Sequence, residues 1–194
     1  MTLYRAIDQS EYESGKIYYP YPTKRLPSNV PYVVDNLWEW AKPDEFPSRR
    51  HSAYASPCPN QARESSISSN PVVCTLKWHG ERKVVQHRIV ADAKEHQDVK
   101  VLPKLLLKIL GPEWPSRSLK DKGDDGLLWV PGLDAPEVQS ILESGMFHDH
   151  IEELKAAINF WKEAELISHS APDSASNGEL FFEYNGGYSL HSFD

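Results

Sequence analysis

The chain has 194 residues, 40% hydrophobic and 11% aromatic, enough to bury one core and too aromatic for a disordered polypeptide. Its formal net charge of −7 disfavours a duplex-binding basic face, and no apolar run reaches the ~18 residues of a membrane-spanning helix. The start, MTLYRAIDQSEY, lacks the basic-then-apolar order of a secretory leader; the expectation is a cytoplasmic protein in which Cys58 and Cys74 are free thiols.

Residues 2–7 read as a first strand. Segments 18–22 and 26–31 are too rich in Pro for a central strand. Val33, Val34, Leu37, Trp38 and Ala41 share one helical face, with Ser28 or Asn29 available as cap and Pro43 as stop. HSAYAS at 51–56 reads as a strand, and Ser56-Pro57 opens a short helix to Arg63. Residues 71–78 and 83–91 read as a hairpin turning at HGER. A helix over 99–110 stops at Gly111-Pro112. Residues 116–126 read as a charged, mobile loop and 127–130 as a strand. Asp134 and Pro136 start a further helix.

The strongest helical pattern covers 148–167, with Ile151, Leu154, Ile158, Trp161 and Leu166 on one face. The chain then reaches ELFFEYNGGYSLHSF, where Asn185-Gly186-Gly187 between aromatic-rich runs predicts a hairpin. No repeat or linker divides the sequence, so a single domain spanning 1–194 is expected.

Chemistry is sought among polar residues set into strands. Arg5 lies between apolar and aromatic neighbours, and a partly buried guanidinium needs an acceptor. Ser56 ends its strand. Glu179 opens the last strand pair, and Glu183 shares its face by alternation. Residue by residue, the simplest reading is that Arg5 pairs with one of these glutamates. Arg49-Arg50-His51 could contact phosphates, but the favoured reading is a solvated loop charge pair. His148-Asp149-His150 could offer metal ligands, but the favoured reading is an exposed helix start, since residues two apart on a helix do not share a face. Glu152-Glu153 reads as a solvated face. Trp38 is expected in the core and Trp40 at a contact surface.

In order along the chain, LYRA at the start, AYASP before a helix, and a late strand opening with Glu179 resemble the ADP-ribosyltransferase-like superfamily. The YRA start and the Y-x-S strand are also similar to those of RES-type NAD-consuming toxins. The resemblance implies an α+β fold of two small packed antiparallel sheets with flanking helices. It also implies NAD as substrate, and a catalytic set of Arg5, Ser56 and Glu179 on one cleft. Tyr18, Tyr19, Tyr21 and Tyr54 are candidates to stack on nicotinamide, and Glu183 is a second candidate on the NAD side.

Breaking the nicotinamide–ribose bond passes through an oxocarbenium-like state, which a carboxylate stabilises, while an Arg holds the pyrophosphate or ribose. The implied function is an ADP-ribosyltransferase or NAD glycohydrolase, a toxin or effector whose acceptor is a protein, a nucleic acid or water. Transferases acting on protein side chains often carry Gln or Glu at the position of Asn177, so the acceptor stays open. Ser56 also departs from the commonest Ser-Thr-Ser form, being followed by Pro57. No G-x-G-x-x-G follows a strand, so a Rossmann mode is not expected. The alternative is a non-enzymatic interaction or immunity-type domain, which acidic charge, aromatics and Pro-rich loops suit equally.

Overall fold

A computed structural model describes residues 2–20, 24–27, 29–167, 172–173, 176 and 178–193. Asn177, Tyr21 and Ser28, named above, lie outside them. The chain divides into two compact units, the first from Met1–Arg25, Asp44–Ala91 and Ala164–Asp194, the second from Leu26–Pro43 and Asp92–Glu163.

The first unit is α+β. Its strands are β1 (Tyr4–Asp8), β2 (Ile17–Tyr18), β3 (Ala53–Ala55), β4 (Pro71–Trp78), β5 (Arg82–His87), β6 (Ala164–Leu166), β7 (Leu180–Tyr184) and β8 (Tyr188–Ser192). They form two four-stranded antiparallel sheets, ordered β1-β4-β8-β2 and β3-β7-β5-β6. One apolar core joins them: Leu3, Cys74, Leu76 and Leu190 from one sheet pack with Val84, Leu180 and Phe182 from the other. Helix α1 (Tyr32–Trp40) belongs to the second unit, while α2 (Pro59–Glu64) covers the first, with Pro59 at its start and Ala62 buried.

Neither predicted hairpin is one. β4 and β5 belong to different sheets, and so do β7 and β8. Both turns carry the chain from one layer to the other, and they pack on each other. Asn185 N–H donates to the Glu81 carbonyl at 3.0 Å, Glu81 N–H to Asn185 Oδ1 at 2.8 Å, and His79 N–H to the Gly187 carbonyl at 3.0 Å. A tight turn sequence fixes the reversal and not the partner strand, and each strand here has apolar partners enough to serve a separate sheet.

The second unit is helical. It contains α1, α3 (Asp98–Leu110), α4 (Leu119–Lys122), α5 (Ala135–Ser144) and α6 (Ile151–Ala157). α1 buries Val33, Val34, Leu37 and Trp38 as its pattern predicts, though its cap position is Pro31, with no side-chain cap. α5 has the capping box of Asp134 and Glu137.

Three expectations change. Residues 116–126 are not an open loop but include a 3-10 turn, Trp114–Ser116, then α4 and the start of a 3-10 helix, Gly123–Trp129. That same 3-10 helix replaces the expected strand over 127–130, because the buried Asn36 amide of α1 captures the carbonyls of Leu128 and Val130. The long helix over 148–167 breaks at Ile158, whose backbone is extended. The fully buried Asp98 carboxylate takes the N–H groups of Asn159 and Phe160 and the Trp38 indole N–H, charge-assisted hydrogen bonds that occupy the two backbone donors a continuing helix would use.

Candidate functional site

β7 organises the candidate residues. Alternation sends Leu180, Phe182 and Tyr184 into the intersheet core. Glu179, Phe181 and Glu183 therefore take the opposite face. On that face the register pairs Tyr54 of β3 with Phe181, and Phe181 with Val85 of β5. One step further along the ladder, Ser56 follows Ala55 beside Glu179, and His87 N–H donates to the Glu179 carbonyl at 2.8 Å.

Glu179 is anchored through its backbone, its N–H donating to the Val90 carbonyl at 2.7 Å. Its carboxylate accepts from Arg49 Nη2, 3.2 Å from each oxygen. The two side chains are 8% and 13% exposed for Arg49 and Glu179 respectively. The Arg49 guanidinium also stands over two rings, 5.9 Å from Tyr54 and 5.8 Å from Phe181. Arg25 approaches the Tyr54 ring at 5.4 Å. The result is a shielded carboxylate beside an aromatic face, flanked by guanidinium groups.

The segment before β3 puts Arg49 there. Residues 48–52 turn back on themselves: Ser52 Oγ donates to the Ser48 carbonyl at 2.7 Å and His51 N–H to the same carbonyl at 3.2 Å. Arg49 and Arg50 are consequently 7% and 3% exposed, which overturns their reading as a solvated loop pair. The available signal was position: two arginines directly precede the strand that carries Tyr54 and Ser56. His87 was missed as well. Its Nδ1 accepts from the N–H groups of Ile89 and Val90, both at 3.2 Å, so the neutral ring carries its proton on Nε2.

Tyr54, Ser56, Glu179 and Glu183 thus share one sheet face. Ser56 is buried and its hydroxyl has no hydrogen-bond partner among the described residues, while Glu183 accepts from Ser48 N–H at 3.3 Å and lies across from Lys83. Arg5 is elsewhere. β1 does adjoin β3, through the Tyr4–Ser56 bridge. Alternation, however, places Arg5 with Leu3 and Ile7 on the side facing the core, opposite Cys74. There Arg5 Nη1 donates to the Tyr188 hydroxyl at 2.6 Å, and it pairs with neither glutamate. Tyr18 stacks on Tyr188 at 5.3 Å on that same inner side. Tyr19 is 64% exposed, and its carbonyl accepts from the Tyr184 hydroxyl.

No family model, curated protein or solved structure matches the chain. Among the described residues, no helix is long and apolar enough to cross a membrane.

Proposed function

We propose that the first unit is an NAD-consuming catalyst, an ADP-ribosyltransferase or NAD glycohydrolase of the ADP-ribosyltransferase-like kind. Glu179 is its charge-stabilising carboxylate. The observation that carries this reading is the shielded Glu179–Arg49 pair, set beside Tyr54 and Ser56 at the meeting of two strands. Arg49 takes the part that the sequence resemblance gave to Arg5, because Arg5 faces the core and Arg49 faces the carboxylate.

The chemistry follows from these groups. As the bond between nicotinamide and C1′ of ribose breaks, the bonding pair leaves with nicotinamide and positive charge grows on the sugar. A carboxylate screened from water stabilises that charge more strongly than an exposed one. Arg49 keeps the carboxylate ionised and oriented, and the Arg25 guanidinium above Tyr54 suits a phosphate of the dinucleotide. The Tyr54 ring offers a face for the nicotinamide, and the Ser56 hydroxyl is available to a ribose hydroxyl. Water or an acceptor group on a protein or nucleic acid then attacks C1′.

The test is incubation of the full chain with NAD, following nicotinamide and ADP-ribose by chromatography, with and without cell extract containing labelled NAD. Nicotinamide release supports the reading, and label on macromolecules separates transfer from hydrolysis. Absence of both release and any thermal shift with NAD would hand the protein to the interaction-module reading.

A further inference from the structure

The second unit holds a pocket of about 610 Å³ that the reading above does not use. α3 supplies one wall. Leu102, Leu106 and Leu110 turn into the unit's core, while Pro103 and Leu107, one turn apart, line the pocket instead. The opposite walls come from the two 3-10 segments and α4. Opposite its buried leucines α3 carries the exposed Lys100, Lys104 and Lys108, as an amphipathic helix does; the flank between those two faces, with Pro103 and Leu107, is apolar.

Exposed apolar side chains collect at this place. Leu107 is 38% exposed, Leu119 88%, Leu127 46% and Val130 42%, and all four line the pocket. Apolar exposure gathered around a concavity of this size is the ordinary mark of a small-ligand site.

The polar groups narrow the ligand. Lys122 is the one ionisable residue among those lining the pocket. Its ammonium stands 4.7 Å from the Trp114 ring centre and donates to the Pro115 carbonyl at 3.1 Å. An ammonium has three donors, so two remain for a ligand. The aromatic groups exclude one shape: the Trp114 and Trp129 rings lie against each other at 4.6 Å with a 35° tilt. No slot remains between them for a flat aromatic ring. Among the described residues the pocket offers apolar walls, a single cation and no other charged group.

We infer that the second unit binds a free alkyl monocarboxylate, a fatty acid, with its chain against Pro103, Leu107 and the two tryptophans and its carboxylate on Lys122.

Decanoate is the probe, titrated against the full chain by tryptophan fluorescence and calorimetry, with decanol as its neutral counterpart. Saturable one-to-one binding of decanoate is expected. Lys122→Met, at the half-buried last position of a short helix, should weaken decanoate about tenfold, the effect of one charge-assisted contact, and leave decanol binding as in the wild type. Leu107→Trp should fill the pocket and abolish both, with circular dichroism confirming the fold. Absence of saturable decanoate binding to the wild type overturns the inference. So does a folded Lys122→Met variant that binds decanoate as well as the wild type, whatever Leu107→Trp does.

Discussion

Arg49 and Glu179 lie 130 residues apart in sequence and meet at 3.2 Å with both side chains largely closed off from water. Arg49 comes from the turn that leads into β3, and Glu179 from the first position before β7. The pair therefore ties the two strands whose register also aligns Tyr54 with Phe181.

Glu179→Gln should lower nicotinamide release by a factor of roughly a hundred or more, as loss of a main charge-stabilising group does. The amide oxygen still accepts from Arg49, so circular dichroism should report an intact fold. Glu183→Gln should leave turnover near wild type and lower the melting temperature slightly, because Glu183 accepts from Ser48 N–H on the far side of Phe181. A fully active, folded Glu179→Gln variant would move the role away from that residue.

Arg49→Met leaves a shielded carboxylate without its cation and should destabilise the chain by about 3 kcal/mol, the usual cost of breaking a buried pair. Arg49→Met combined with Glu179→Gln should cost clearly less than the sum of the two. Urea unfolding of all four proteins gives the coupling; strict additivity would show that the two groups do not sense each other.

Tyr188→Phe removes the acceptor of the Arg5 hydrogen bond and should cost about 1 kcal/mol with little change in NAD turnover, since both residues sit on the core side. A large fall in turnover with unchanged stability would return Arg5 to the catalytic set.

Asp8 gives a pH signature. Hydrogen bonds from the Ser10 and Ser68 hydroxyls, then from Ser10 N–H, hold its carboxyl down at about 2. In the unfolded chain an aspartate titrates near ~3.9, so the unfolded state binds the proton more tightly. The contribution is present above that value and is lost as the pH falls through about 2. Denaturation of wild type and Asp8→Asn at pH 5, 3 and 2 should therefore show the wild-type advantage shrinking toward the most acid condition; an advantage independent of pH would refute the assignment.

Much of the fold was readable in the sequence because periodicity reports local burial. α1, α3 and α5, the strand before Ser56, and the alternation of Leu180 and Phe182 against Glu179 and Glu183 all follow from it. What the pattern could not carry is partner choice. The HGER and Asn-Gly-Gly turns look like hairpin turns because they are tight, yet each joins strands of different sheets. The helix expected over 148–167 has the right apolar spacing, but a buried aspartate 61 residues before Asn159 ends it there. The candidate site divides on the same line. Glu179, Ser56 and Tyr54 share a face for reasons of alternation. Arg49 joins them through a backbone turn with no periodic signal, and Arg5 leaves them because its neighbours Leu3 and Ile7 take it inward.

The two turns that stack at Asn185 have a consequence for when this protein can exist as a working molecule. β7 and β8 are interior strands of their respective sheets, and both lie after residue 179. During synthesis, β1, β3, β4 and β5 emerge first, yet β3 and β5 have no common neighbour until β7 arrives, and β4 and β2 none until β8 arrives. Neither layer can close before β7 and β8 have emerged, and until then Glu179 has no strand to open. The first unit is therefore completed only once β7 and β8 have left the ribosome, when both layers gain their interior strands and the Glu179 carboxylate takes its place with them.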